Sequence, residues 1–127
     1  MVTKEDNMAT DITEAVAAFY EHFPFPAERR PDADGLLLMR RVASLLADVH
    51  PATGKDQLRL LDAGCGTGNS AVSLARAFPR LKVLGLDVCA GSLAVARAAA
   101  RAAGLDNLAF RRGDLLAGPP PGRWDII

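Results

Sequence analysis

The apolar positions change rhythm once along this chain, near residue 58. Ahead of that point Ile12, Ala15, Val16, Phe19, Tyr20 and Phe23 recur three and four residues apart, which predicts an amphipathic helix over 12–22. Asp11 with Glu14 reads as an acidic variant of a capping box at its start, leaving the polar residues 1–9 frayed. The run "FPFP", residues 23–26, forces an extended path, because each proline fixes its own φ and restrains the residue before it. A second helix is predicted from Asp34 to Val49, with Leu38, Val42, Leu45, Leu46 and Val49 on one face and Pro51 ending it.

From Leu58 short apolar runs alternate with helical periods. "LRLLDAG", "LKVLGLD" and "LAFRRGD" read as strands, and "WDII" opens a fourth. Between them, "NSAVSLARAF" is an amphipathic helix closed by Pro79, and "GSLAVARAAARAAG" is another with Gly104 at its C-terminal stop. "LLAGPPPGR" is a stiff loop. Strand, helix, strand in this order predicts right-handed βαβ units, and so an α/β fold with a parallel sheet covered by helices on both faces. The chain therefore divides into a helical N-terminal segment, 1–57, and an α/β segment, 58–127.

Composition narrows the function. With 127 residues, half of them hydrophobic, the chain can bury one real core. Its 15 basic and 15 acidic side chains cancel, so nothing electrostatic argues for nucleic acid or an anionic membrane. No apolar stretch approaches the roughly 20 residues needed to span a bilayer, and "MVTKEDNMAT" lacks the apolar core of a secretory signal. Cys65 and Cys89 have no metal-ligand spacing, and His22 and His50 stand alone, so no metal site is expected. The expected setting is the cytoplasm, with reduced thiols.

Candidate chemistry concentrates where the first strand stops at Asp62 and three alternating glycines, Gly64, Gly66 and Gly68, lead into a helix. Glycine there permits positive φ and lets the backbone come close to a ligand, while the exposed N–H groups of the helix start add a partial positive field. The alternative is a tight turn that needs glycine only for its own geometry. A dinucleotide turn would read Gly-x-Gly-x-x-Gly. Here the third glycine arrives one residue early, and Asn69 stands where that pattern wants glycine. Asp87 ends the second strand, where a carboxylate can accept two hydrogen bonds from a ribose diol or, alternatively, cap the following helix. Asp114, just past the third strand, is either a site acid or a loop aspartate.

The stretch "LLDAGCGTG" resembles the first motif of class I S-adenosylmethionine-dependent methyltransferases, and the resemblance extends over residues 58–127. It implies a Rossmann-like sheet in the order 3-2-1-4, truncated after strand four, with S-adenosylmethionine as cofactor. The implied site runs through Asp62, Gly64, Cys65, Gly66 and Gly68, with Asp62 orienting the methionine amino group and the glycine loop skirting the methionine portion and ribose. Asp87 would hold the ribose and Val88 would face the adenine; Asp114 would accept from the adenine amino group, with the Leu115 amide beside the ring. "AFYEHFPFP" resembles the start of some bacterial members, in which an N-terminal helix lids the cofactor.

The implied activity is methyl transfer to an unidentified acceptor, with a small molecule favoured over nucleic acid, and no catalytic base can be named. A non-catalytic cofactor-binding module, or an inactive fragment lacking the acceptor half, is the alternative. The expectation is a fragment of a longer protein; failing that, an oligomer or a partner chain would cover the apolar edge of strand four.

Overall fold

In the computed structural model, which describes residues 4–22, 33–53 and 57–127, two helices precede a parallel sheet. The helices are α1 (Lys4–His22) and α2 (Ala33–Thr53). The sheet holds β1 (Leu58–Ala63), β2 (Leu81–Asp87) and β3 (Leu108–Arg112), side by side in that order. The crossovers are α3 (Asn69–Ala77) and α4 (Ala90–Ala102).

β1 and β2 are short, apolar and largely buried, while β3 at the edge has no fully buried residue. Consecutive residues Leu60 and Leu61 are both buried, as parallel strands require when neither side meets water. In α3 the buried residues Ala71, Val72, Leu74 and Ala75 form one stripe, and in α4 Leu93, Ala96 and Ala100 form another. Both crossovers advance the same way along the sheet, so α3 and α4 share one face and touch. Val42 of α2 completes the core with Leu58, Leu60, Leu74, Leu81 and Val83. Each such aliphatic side chain contributes roughly 1.5–3 kcal/mol by leaving water.

Asn107, which nothing in the sequence pattern singles out, holds a corner of this core. Its Nδ2 donates to the carbonyls of Ala75, Phe78 and Leu81, at 2.9, 3.2 and 2.9 Å. These are carbonyls at the end of α3 and the start of β2, and unpaired they would each carry a desolvation cost.

Register then places the strand ends together. Ala63 pairs with Leu86, and Asp87 with Arg112, so the residues leaving β1, β2 and β3 emerge along one edge of the sheet. That edge carries the site.

Three expectations change. α1 begins at Lys4, so Asp11 and Glu14 lie within it rather than at its start; Lys4, Glu5, Met8 and Ala9 are all good helix formers and extend the first turns. α2 continues past Pro51 to Thr53, since a proline near a helix end removes one N–H from the ladder without preventing the turn. "WDII" contributes one parallel bridge, Leu60 to Ile126, rather than a ladder. The Arg59 amide that would extend the pairing is taken by the Asp125 carboxylate at 2.9 Å, while the Arg59 guanidinium stacks over Trp124 at 4.5 Å. The "FPFP" run falls in 23–32, which with 54–56 lies outside the described residues.

Candidate functional site

The glycine turn is fastened to the sheet before any ligand is considered. The amides of Gly64 and Cys65 both donate to the Leu86 carbonyl, at 2.8 and 3.0 Å, and Gly68 N–H returns to Cys65 at 3.0 Å. Gly64, Gly66 and Gly68 take φ of 78°, 56° and 81°, the left-handed region in which a side chain is strained.

Asp87 ties this turn to the head of α4. One carboxylate oxygen accepts from Gly66 N–H at 2.8 Å and the other from Cys89 N–H at 2.9 Å. A carboxylate has about four lone-pair positions, so each oxygen keeps capacity for a further donor. The alternative reading of Asp87, a helix-start acceptor, is thus realised in a residue that also lines the cavity.

Beside the turn lies a cavity of about 400 Å³. Of the sequence-predicted site residues, Gly64, Gly66, Asp87, Val88, Asp114 and Leu115 line it. Asp62, Cys65 and Gly68 do not. Gly68 has a different reason to be glycine: a Cβ there would stand 2.8 Å from the Ala96 Cβ and 2.9 Å from the Phe110 ring, so it sets how closely α3 packs on α4 and β3. The buried Cys65 thiol has its pKa pushed up to about 12, by burial first and then by the carboxylates of Asp62 and Asp87. It is no nucleophile at neutral pH.

Asp62 is the unresolved charge of the site. Burial raises its pKa, with the Asp87 carboxylate adding to the effect. Its Oδ2 is buried and has no hydrogen-bond partner among the described residues. A native orphan of this kind marks a place that a donor completes.

The rest of the lining comes from residues the sequence pattern did not offer: Ile12, Thr13 and Val16 of α1, Ser92 of α4, and Leu116. Thr13 Oγ1 donates to Asp114 Oδ2 at 2.8 Å, across 101 positions of chain. The other Asp114 oxygen accepts from Leu116 N–H at 2.8 Å and caps a single 3-10 turn, Leu115–Ala117. Helical spacing shows which residues of α1 share a face, but no local signal says what that face will meet. Among the described residues, no lysine or arginine lines the cavity, and no group of three or more His, Cys, Asp or Glu could hold a metal ion. Among the described residues, no helix is long and apolar enough to cross a membrane.

Comparison with known proteins adds a family. Residues 60–127, a little over half of the chain, match the model of a methyltransferase domain. An uncharacterised protein of Synechococcus is 35% identical over 94% of this chain, which spans 30% of that protein's length. A trans-aconitate 2-methyltransferase of Deinococcus radiodurans is 46% identical over 45% of this chain, corresponding to 20% of the enzyme. A structure solved in work on the conversion of a disulfide bond into a thioacetal group during echinomycin biosynthesis superposes with a TM-score of 0.51, at 30% identity over 83% of this chain and 40% of that one.

Proposed function

The chain belongs to the methyltransferase-domain family, and on that premise we propose that it binds S-adenosylmethionine and delivers its methyl group to a small-molecule acceptor. One observation carries the cofactor reading. The cavity joins a glycine turn to two carboxylates, Asp87 and Asp114, with no cationic side chain in its described lining. Such a wall repels a pyrophosphate and suits a ligand rich in donors and positive charge. It therefore disfavours a dinucleotide on grounds independent of glycine spacing.

The residues present fit that cofactor. Asp87, already oriented by two backbone amides, has acceptor capacity left for a ribose diol. Gly64 and Gly66 permit close approach, Val88 and Leu115 offer apolar surface to a base, and Asp114 has acceptor capacity left for an amino group alongside Thr13. Asp62 lies outside the cavity lining, but its Oδ2 is buried without a partner and burial disfavours its anion, so an ammonium reaching it would stabilise the charged form. Bound here, S-adenosylmethionine supplies a methyl group already activated by its sulfonium. The protein's part is to hold the cofactor, exclude water and present the acceptor in line.

In this reading α1 is a lid, because Ile12, Thr13 and Val16 reach over the cavity from outside the α/β segment. A small acceptor is favoured by the balanced charge of the chain and by the likeness to an enzyme named for trans-aconitate. Two free, buried cysteines agree with a cytoplasmic setting.

Calorimetric titration with S-adenosylhomocysteine, using NAD as control, tests the proposal. Selective binding of the first supports it. Selective binding of NAD, or a folded protein that binds neither, overturns it.

A further inference from the structure

We propose that Glu21 is a positioning residue of this site: it fastens α1 across the cavity to the head of α4, the same helix start that Asp87 holds, on the premise that the cavity holds S-adenosylmethionine. Glu21 lies at the end of α1, and its Oε1 accepts from Gly91 N–H at 3.0 Å in the first turn of α4. That turn has no cap of its own, because Cys89 at the N-cap makes no side-chain capping bond. A residue 70 positions away does the work usually done by a local Ser, Thr or Asp. The negative charge also meets the positive end of the helix dipole.

The Glu21 carboxylate is held below its ordinary pKa, by the Gly91 amide first and the neighbouring Cys89 second. Cys89 is fully buried and gives its own N–H to Asp87 Oδ1 at 2.9 Å. Glu21 and Asp87 therefore both accept from backbone amides at the head of α4, those of Gly91 and Cys89, so the lid helix and a carboxylate of the cavity wall are fastened to the same helix start.

Two further details support a fastening rather than an incidental contact. A Cβ on Gly91 would stand 2.5 Å from Glu21 Oε2, so the carboxylate occupies space that only glycine leaves open. The Thr13–Asp114 bond provides a second attachment, two turns of helix, or about 12 Å, from Glu21. Val16, between the two attachments, lines the cavity. Ile12 and Val16 remain 52% and 41% exposed, so apolar burial alone holds α1 weakly and the polar attachments decide its position.

The test compares wild type, Glu21→Ala, Glu21→Gln and Gly91→Ala by calorimetric affinity and stopped-flow dissociation of S-adenosylhomocysteine, with a thermal melt of each. Glu21→Ala is expected to weaken binding about 10-fold, mainly through faster dissociation, and Glu21→Gln to retain most of the affinity because its amide oxygen still accepts. Gly91→Ala is the discriminating variant. Its methyl displaces the carboxylate, so it should match Glu21→Ala in dissociation, while alanine favours the helix and leaves the melting temperature level or higher. If Glu21 served stability alone, Glu21→Ala would melt early with unchanged dissociation, and Gly91→Ala would bind as wild type does; that pattern overturns the proposal. Should Glu21→Ala fail to fold, Gly91→Ala decides. Failure of the folded wild type to bind overturns the cofactor reading, and this inference with it.

Discussion

Replacing Asp87 asks whether its carboxylate builds the site before any ligand arrives. Its two oxygens accept from Gly66 and Cys89 at 2.8 and 2.9 Å, joining the glycine turn to α4. In Asp87→Asn one oxygen remains, and the new amide nitrogen faces an N–H that it cannot accept from. One charge-assisted bond is lost and the other becomes neutral. Bonds to charged groups contribute about 1.5–3 kcal/mol, and because Asp87 is only half-buried, water recovers part of this, leaving a loss of about 1.5–2 kcal/mol. Asp87→Ala, which frees both amides, should lose about 2–4 kcal/mol, a large share of the roughly 5–15 kcal/mol that holds a domain together. Equilibrium urea unfolding reads this directly. With a slope of about 1–3 kcal/mol per molar, the Asn variant should move the midpoint down by about 0.5–2 M. Cofactor affinity should fall roughly 10- to 1000-fold alongside, as contacts to the ligand are lost too. Midpoints within about 0.2 M of wild type for both variants would refute the reasoning. Water would then be replacing the two bonds in full, and the Leu86 carbonyl would be holding the turn.

Asp62→Asn should stabilise the free protein at pH 7 while weakening cofactor binding. Burial raises the folded-state pKa, so the acid contributes most below its ordinary value of 3.8 and loses that contribution as pH rises through the raised value. The gap between variant and wild type should therefore open above that window and close below it; an Asn variant less stable at pH 7 would count against the orphaned carboxylate. Cys65, with its pKa near 12, should resist iodoacetamide in the native protein at pH 8, since only about one thiol in 10⁴ is ionised there. Peptide mapping that finds it modified faster than the protein unfolds would contradict its placement. Gly68→Ala should cost about 2–4 kcal/mol, from the left-handed φ of 81° together with contacts of 2.8 and 2.9 Å to Ala96 and Phe110. A midpoint change worth less than about 1 kcal/mol would mean that α3 and α4 separate easily.

Much of this site is legible in one dimension because its parts are local. A strand end, a glycine turn and the next helix occupy Leu58–Ala77, and their order follows from hydrophobic period and from where φ must be positive. Asp87 and Asp114 could be found as acids at successive strand ends, since parallel strands place those ends along one edge. Gly68 shows the limit of such reading. Its neighbours in sequence mark it as part of the turn, but its closest contacts would be Ala96 and Phe110, brought in by sheet register. Asn107 gives no signal at all, because its three acceptors belong to another helix, its end and the following strand.

The sequence by itself determined the α/β order, the glycine turn and the acids that face the cavity. Those depend on residues within a few turns or one strand of each other. The tertiary structure alone decided that Ile12, Thr13 and Val16 of α1 line the cavity, that Thr13 meets Asp114, and that Glu21 caps α4. These contacts link residues 70 and 101 positions apart, and an exposed Thr or Glu on a helix carries the same local pattern whatever it will touch. Only packing of the helix onto the finished sheet edge supplies the partner.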